Sequence, residues 1–190
     1  MSSSSLDNGF DVIVAGGGPA GSAAATLLAK HGHSVLLCER SAEPEEKVGE
    51  SLMPATYWTF ERLGMLDKMR SSPFVEKGSV QFYTPDGRAT DPFYFKEVDP
   101  PESAHTWQVV RADCDQMLLD SAAEHGVDVR RGARVVEVLF EGERAVGARV
   151  AMNGEGVGMP CKVVDDGPGQ RKSLASERSL REGERHRRND

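Results

Sequence analysis

The stretch DVIVAGGGPAGSAAATLLAKHGHSVLLCER, from Asp11 to Arg40, constrains the fold more than any other part of the chain. A short apolar run ends in three glycines, an Ala-rich segment follows and stops at Gly32, and a second apolar run closes the stretch. This order predicts a buried parallel strand, a helix and a second parallel strand. The sequence therefore contains one complete βαβ unit near its start.

Three glycines in this unit have the spacing GxGxxG. Gly16 permits a tight turn after the strand, Gly18 lets a diphosphate approach the backbone, and Gly21 lets helix and strand pack closely. The helix start adds unpaired N–H groups and the positive end of the helix dipole. Glu39, at the end of the second strand, can accept hydrogen bonds from an adenosine ribose and disfavours the 2′-phosphate of NADP. These residues predict a dinucleotide site and leave FAD and NAD open.

The middle of the chain interrupts this βα alternation. PATYWTFERLGM predicts a helix with Pro54 in its first turn and an apolar face made by Tyr57, Phe60 and Leu63. Residues 79–95 contain two alternating aromatic runs around Pro-Asp-Gly, which predicts a β-hairpin.

A further helix and several strands follow. ADCDQMLLDSAAEHG predicts a helix that ends before Gly126, with an apolar stripe made by Met117, Leu118 and Ala122. Beyond it, four β-rich runs separated by EGER and NGEG turns predict a strand followed by an antiparallel meander.

Charge and cysteine content limit the classes of partner. The net charge is −7, and because residues 170–190 contribute +3, the rest of the chain carries −10. This balance disfavours nucleic acid or an anionic membrane as the main partner. Three widely separated cysteines, no CxxC pair and no apolar run of membrane-spanning length predict a cytoplasmic protein without a metal site, a disulfide framework or a membrane span.

Three blocks of sequence carry a resemblance to a known family. GGGPAGSAAATLLAKHGHSVLLCER, KVGESLMPATYWTFERLGM and QVVRADCDQMLLDSAAEHGVDV occur in this order, and together they resemble the amino-terminal part of the FAD-dependent monooxygenases and flavin-dependent halogenases, the superfamily of p-hydroxybenzoate hydroxylase. The resemblance covers about residues 10–165. It favours FAD over NAD and implies an α/β, Rossmann-like FAD-binding domain with an antiparallel β-meander and the start of a substrate-binding sheet, incomplete in this chain.

The resemblance also implies roles for individual residues. Residues that match the family's binding site for the ADP part of FAD and its ribose are Gly16, Gly18, Ala20, Gly21, Glu39 and Arg40. Gly49, Glu50 and Ser51 resemble a segment that runs beside the flavin, and Arg111 matches an arginine directed at the phosphates and ribityl chain. Lys77 lies near the position of the halogenase lysine that binds or activates hypohalous acid, so we expect it to be catalytic.

The resemblance weakens after Val163, where VVDDGPGQRKSLASERSLRE stands in place of a motif like DATGQ. The family's second flavin motif, a Gly-Asp pair, and the tryptophan-rich motif of many halogenases do not occur in this sequence. We therefore expect a disordered lead over residues 1–9, a partial FAD-binding domain over 10–169 and a disordered charged tail over 170–190.

Two function hypotheses remain at this point. The first is an FAD-dependent oxidoreductase of monooxygenase or halogenase type, acting on a small organic substrate with a flavin reductase or NAD(P)H as electron source. The second is a truncated, non-catalytic remnant or a weak dinucleotide-binding module.

Overall fold

The computed structural model describes residues 9–167, and the predicted tail, with all but Gly9 of the predicted lead, lies outside this range. The elements in chain order are β1 (Phe10–Ala15), α1 (Pro19–Lys30), β2 (Val35–Glu39), α2 (Thr56–Leu63), α3 (Leu66–Ser71), β3 (Val75–Lys77), β4 (Ser79–Val80), β5 (Phe93–Tyr94), β6 (Thr106–Gln108), α4 (Arg111–Glu124), β7 (Asp128–Arg131), β8 (Ala133–Glu141), β9 (Arg144–Met152) and β10 (Glu155–Asp166).

The chain forms two compact units. The first comprises the described residues up to 44 and from 115 onwards, and the second comprises residues 45–114. Within residues 9–167, no helix is long and apolar enough to cross a membrane, and no cluster of three or more His, Cys, Asp or Glu side chains is arranged to hold a metal.

A six-stranded sheet organises the first unit, with the strand order β7-β2-β1-β10-β9-β8. β1 pairs in parallel with β2, and β2 pairs in parallel with β7. β8, β9 and β10 form antiparallel pairs. The α/β fold class, the βαβ unit and the strand followed by a meander are all confirmed.

Both faces of β1 and β2 are buried, as their continuous apolar runs predict. One face packs with side chains of α1 and α4: Val12, Val14, Val35 and Leu37 from the strands, with Ala25, Leu119 and Ala122 from the helices. The other face packs with the meander: Ile13, Leu36 and Cys38 from β1 and β2, with Ala133, Val135, Ala148 and Val150 from β8 and β9. The glycine-rich turn after β1 therefore rests on a strand that is fixed from both sides.

β10 belongs to both halves of this sheet. Glu155 to Pro160 pair antiparallel with β9, and Cys161 to Asp166 pair in parallel with β1. The change of partner falls at Pro160, which has no N–H to donate to a ladder. Gly147 faces this point, where a Cβ would lie 2.5 Å from the carbonyl oxygen of Met159. One strand therefore serves the meander with its first half and the parallel part of the sheet with its second half.

The second unit contains the predicted helix and hairpin. α2 begins two residues after Pro54, which lies in the preceding turn rather than in the helix. Its predicted apolar face is buried, and Phe60 stacks edge-on against Trp107 at 6.0 Å. The hairpin is present as β4 and β5, with a narrow tip where Thr84 N–H donates to the Arg88 carbonyl.

The three cysteines are buried thiols, and none forms a disulfide. Burial raises the pKa of the Cys38 thiol to about 11, and burial also raises the pKa of Cys161. These two side chains act as small apolar residues of the sheet core, because a thiol with a raised pKa contains little of the reactive thiolate.

Asp11 ties three strands together at the end of the sheet opposite the glycine turn. Its Oδ2 accepts hydrogen bonds from the Ser34 N–H (2.8 Å) and the Ser34 hydroxyl (3.0 Å) at the entrance to β2. Its Oδ1 lies 2.7 Å from Lys162 Nζ on β10. The hydrogen bond and ion pair with Lys162, followed by the bonds from Ser34, hold the pKa of Asp11 below its ordinary value.

We expect Asp11→Ala to lower the Tm at neutral pH, because the charged carboxylate is the form that both partners bind. A carboxylate whose pKa is lower in the folded protein than in the unfolded chain stabilises the fold above about pH 4. This stabilisation is lost as the pH falls through the folded-state pKa. The Tm difference between wild type and Asp11→Ala should therefore shrink in acid, as measured by differential scanning calorimetry from pH 7 down to about pH 2.

Asp67→Ala is the matched control, because Asp67 pairs with Arg70 on an exposed helix surface at 3.3 Å. Such exposed pairs contribute little to stability. An equal effect of the two substitutions at every pH would contradict the proposed role of Asp11.

Candidate functional site

The turn between β1 and α1 has the geometry that GxGxxG predicts. Gly16 has φ 102°, a left-handed conformation that favours glycine. A Cβ on Gly21 would lie 2.0 Å from the Gly16 carbonyl oxygen, well inside any allowed contact. Gly16 therefore makes the turn, and Gly21 allows the helix to approach it.

The first turn of α1 contains N–H groups that lie outside the helical hydrogen-bond ladder. Its first helical hydrogen bond runs from the Ser22 N–H to the Gly18 carbonyl at 2.9 Å, so the N–H groups of Gly18, Ala20 and Gly21 precede the helical ladder. Pro19, at the first helical position, has no N–H. A Cβ on Gly18 would meet nothing within 4 Å, and Ala20 is exposed. This arrangement fits a diphosphate, which accepts hydrogen bonds and carries negative charge.

Glu39 is buried beside this turn, with 8% of its surface exposed. Its Oε2 accepts a hydrogen bond from the Gly17 N–H at 2.7 Å, and its Oε1 accepts one from the Ser41 N–H at 2.9 Å. Two backbone donors thus fix the carboxylate, while each oxygen retains capacity to accept a ribose hydroxyl. Arg40 follows on the exposed side of the chain.

The structure adds two glycines that the sequence prediction omitted. A Cβ on Gly17 would lie 2.9 Å from both Glu39 Cβ and Leu119 Cδ2, so only glycine fits between the carboxylate and α4. Gly167 donates its N–H to the Ala15 carbonyl at 3.0 Å, and a Cβ there would lie 3.8 Å from Gly21 Cα. The sequence contained an indication of each: Gly17 is the middle residue of GGG, and Gly167 lies in the partial match to DATGQ.

The second unit brings Gly49 and Arg111 together. Arg111 is the first residue of α4, and its Nη1 donates a hydrogen bond to the Val48 carbonyl at 3.1 Å. Gly49 has φ 112°, and a Cβ there would lie 3.1 Å from Arg111 Nη1. The positive φ favours glycine at the start of the GES segment, and the guanidinium lies directly beside it.

The same segment contacts Lys77. Glu50 and Ser51 are exposed, and Lys77 at the end of β3 is half-buried. Its Nζ donates hydrogen bonds to Ser51 Oγ at 2.5 Å and to the Leu52 carbonyl at 2.8 Å. Burial lowers the pKa of the Lys77 amine from its ordinary value. Of the three predicted GES residues, Gly49 therefore lies against Arg111 and Ser51 against Lys77.

The described residues thus contain two candidate groups. In the first unit, the glycine turn, the start of α1 and Glu39 form a cradle for a nucleoside diphosphate. In the second unit, the GES segment links a guanidinium to a partly desolvated ammonium. The cradle fits the ADP half of a dinucleotide on its geometry alone.

Comparison with known proteins defines the class. Residues 9–163 match the family described as FAD binding domain. The chain belongs to this family, and FAD is its cofactor. Curated relatives include a flavin-dependent halogenase of Armillaria mellea, 38% identical over 136 residues, which cover 70% of this chain and 25% of the relative.

A second relative is the 1H-pyrrole-2-carbonyl-[peptidyl-carrier protein] brominase of Pseudoalteromonas luteoviolacea, 32% identical over 176 residues, which cover 90% of this chain and 41% of that enzyme. Among solved structures, the myxobacterial chondrochloren halogenase matches with a TM-score of 0.78 and 39% identity, covering 86% of this chain and 38% of that one. The resemblance to FAD-dependent halogenases and monooxygenases and the Rossmann-like fold are confirmed. The chain spans a quarter to about two fifths of the relatives' length.

Two glycine substitutions should separate folding from binding in the cradle. We expect Gly21→Ala to lower the free energy of unfolding by about 2 kcal/mol or more, because its Cβ has no space. Gly18→Ala should leave that free energy nearly unchanged, because its Cβ meets open space, yet weaken FAD binding about tenfold by obstructing the diphosphate.

Urea unfolding measures the first effect and calorimetric titration with FAD measures the second. If Gly18→Ala binds FAD as tightly as wild type does, the diphosphate does not bind at this turn.

Proposed function

We propose that this chain is the FAD-binding part of a flavin-dependent halogenase. The observation that supports this choice over hydroxylation is the half-buried Lys77 ammonium, held against the GES segment by two hydrogen bonds. The two relatives named above are a halogenase and a brominase. FAD, when reduced, supplies the activation of molecular oxygen that halide oxidation requires.

The cradle residues are proposed to hold the ADP half of FAD. The N–H groups of Gly18, Ala20 and Gly21 would bind the diphosphate, and Gly16 would shape the turn beneath it. Glu39 would accept the ribose hydroxyls, with Arg40 next to it. In the second unit, Gly49, Glu50, Ser51 and Arg111 are each proposed to contact FAD as the family resemblance implies, with the guanidinium suited to phosphate oxygens.

Lys77 is proposed to act on the oxidised halogen. An ammonium can bind hypohalous acid through N–H donation and polarise it toward an electron-rich carbon, and partial burial strengthens that interaction. The substrate is proposed to be a small organic compound with such a carbon. A carrier-bound pyrrole is one candidate class, because it is the group named for two relatives of this chain. A flavin reductase or NAD(P)H would supply electrons, and a cytoplasmic location stays a prediction.

The first test is cofactor binding. The purified chain should retain FAD with a visible flavin spectrum and a stoichiometry near one. A colourless protein that does not take up added FAD would favour the alternative of a non-catalytic remnant.

The second test concerns Lys77. We expect Lys77→Ala to reduce incorporation of bromide into an aromatic test substrate by about 100-fold or more, while FAD affinity stays as in wild type. The assay supplies a flavin reductase and NADH, and mass spectrometry detects the brominated product.

Lys96→Ala is the matched control, because Lys96 lies over the Tyr94 ring on the neighbouring hairpin at 5.5 Å. Equal bromination by wild type and Lys77→Ala would eliminate the proposed role of Lys77. Hydroxylated product from wild type would indicate a monooxygenase instead.

A further inference from the structure

Ser51 and Lys77 are held by the same strand. β6 pairs antiparallel with β3 on one side, with Lys77 opposite Thr106. On its other side it accepts the GES segment, with Ser51 opposite Gln108. Two backbone hydrogen bonds fix that segment, from Val109 N–H to the Glu50 carbonyl at 2.8 Å and from Leu52 N–H to the Trp107 carbonyl at 3.1 Å.

This pairing determines the reach of the lysine. Thr106 and Gln108 are two apart on β6, so their pairing partners Lys77 and Ser51 project from the same face of the sheet. Two strand spacings, about 10 Å, and an offset of two residues along β6 separate the backbones of these partners. The lysine side chain, the serine side chain and the hydrogen bond between them together span this separation across β6.

The ammonium has uncharged neighbours. Ser51 Oγ and the Leu52 carbonyl accept two of its three N–H groups, and the Phe95 ring centroid lies 5.8 Å from Nζ. The adjacent acid on β3, Glu76, pairs with His105 at 3.5 Å. Two fixed acceptors determine the orientation of an ammonium group, and with it the direction of the third N–H.

We propose that Ser51 is the positioning residue for Lys77: its hydroxyl, together with the Leu52 carbonyl, aims the remaining N–H of the ammonium at the bound oxidant. This proposal rests on the proposed role of Lys77 in halogenation. Under this proposal Ser51 orients another side chain of the protein, in addition to any contact that it makes with FAD.

The test observes Lys77 directly, without turnover. The chain is labelled with ¹³C,¹⁵N-lysine, and Lys77→Arg assigns the Nζ and Cε resonances. Loss of an acceptor disfavours the charged form, so Ser51→Ala should lower the measured pKa of Lys77 by about half a unit. Ser51→Thr keeps a hydroxyl and should restore the wild-type titration. The resonances of Lys96 provide an internal reference.

Ser51 is exposed, so Ser51→Ala should fold, and its circular dichroism spectrum and Tm check this. Unchanged Lys77 resonances and titration in Ser51→Ala, without FAD, would overturn the proposal. In the FAD-loaded chain, Ser51→Ala should reduce kcat for bromination about tenfold with KM nearly unchanged, and Ser51→Thr should recover it. If wild type brominates nothing, the proposed function fails, and the lysine titration still decides whether Ser51 positions Lys77.

Discussion

α1 approaches the end of β1 so closely that residue 21 has no room for a side chain. The glycine turn of the first unit depends on this close approach. A Cβ on Gly21 would overlap the Gly16 carbonyl at 2.0 Å. In the same turn, the Gly17 N–H donates to the Glu39 carboxylate at the end of β2. The same turn presents two groups of opposite character, the N–H donors of α1 and the Glu39 carboxylate, which we propose bind the diphosphate and the ribose hydroxyls.

β10 holds this turn in place from the other side. Its second half pairs with β1 along five registered positions and ends where Gly167 donates to the Ala15 carbonyl. Its first half belongs to the meander, whose side chains cover one face of β1 and β2. One strand thus connects the packing of the meander to the position of the glycine turn, so a disturbance near Pro160 would reach the cradle through continuous backbone pairing.

Local patterns made the secondary structure predictable. GxGxxG, the apolar face of α2 and the Pro-Asp-Gly tip each depend on residues close together in sequence, and the structure contains all three elements. The change of partner within β10, from β9 to β1, was not predictable. The parallel pairing joins residues about 150 positions apart, and neither strand has a periodic sequence pattern that indicates it. Gly17 was missed for a similar reason: its steric limit is set by Glu39 on the next strand and by Leu119 on a helix far along the chain.

The second unit shows how backbone pairing can bring functional groups together without any motif. Lys77 and Ser51 are 26 positions apart, and neither position alone indicates the other. They meet because β6 pairs with both neighbouring segments, and because a lysine is long enough to cross one strand. Arg111 contacts the same segment through the Val48 carbonyl, but a guanidinium keeps its charge under ordinary conditions. Lys77 is partly desolvated among uncharged neighbours, and this desolvation lowers the pKa of its amine.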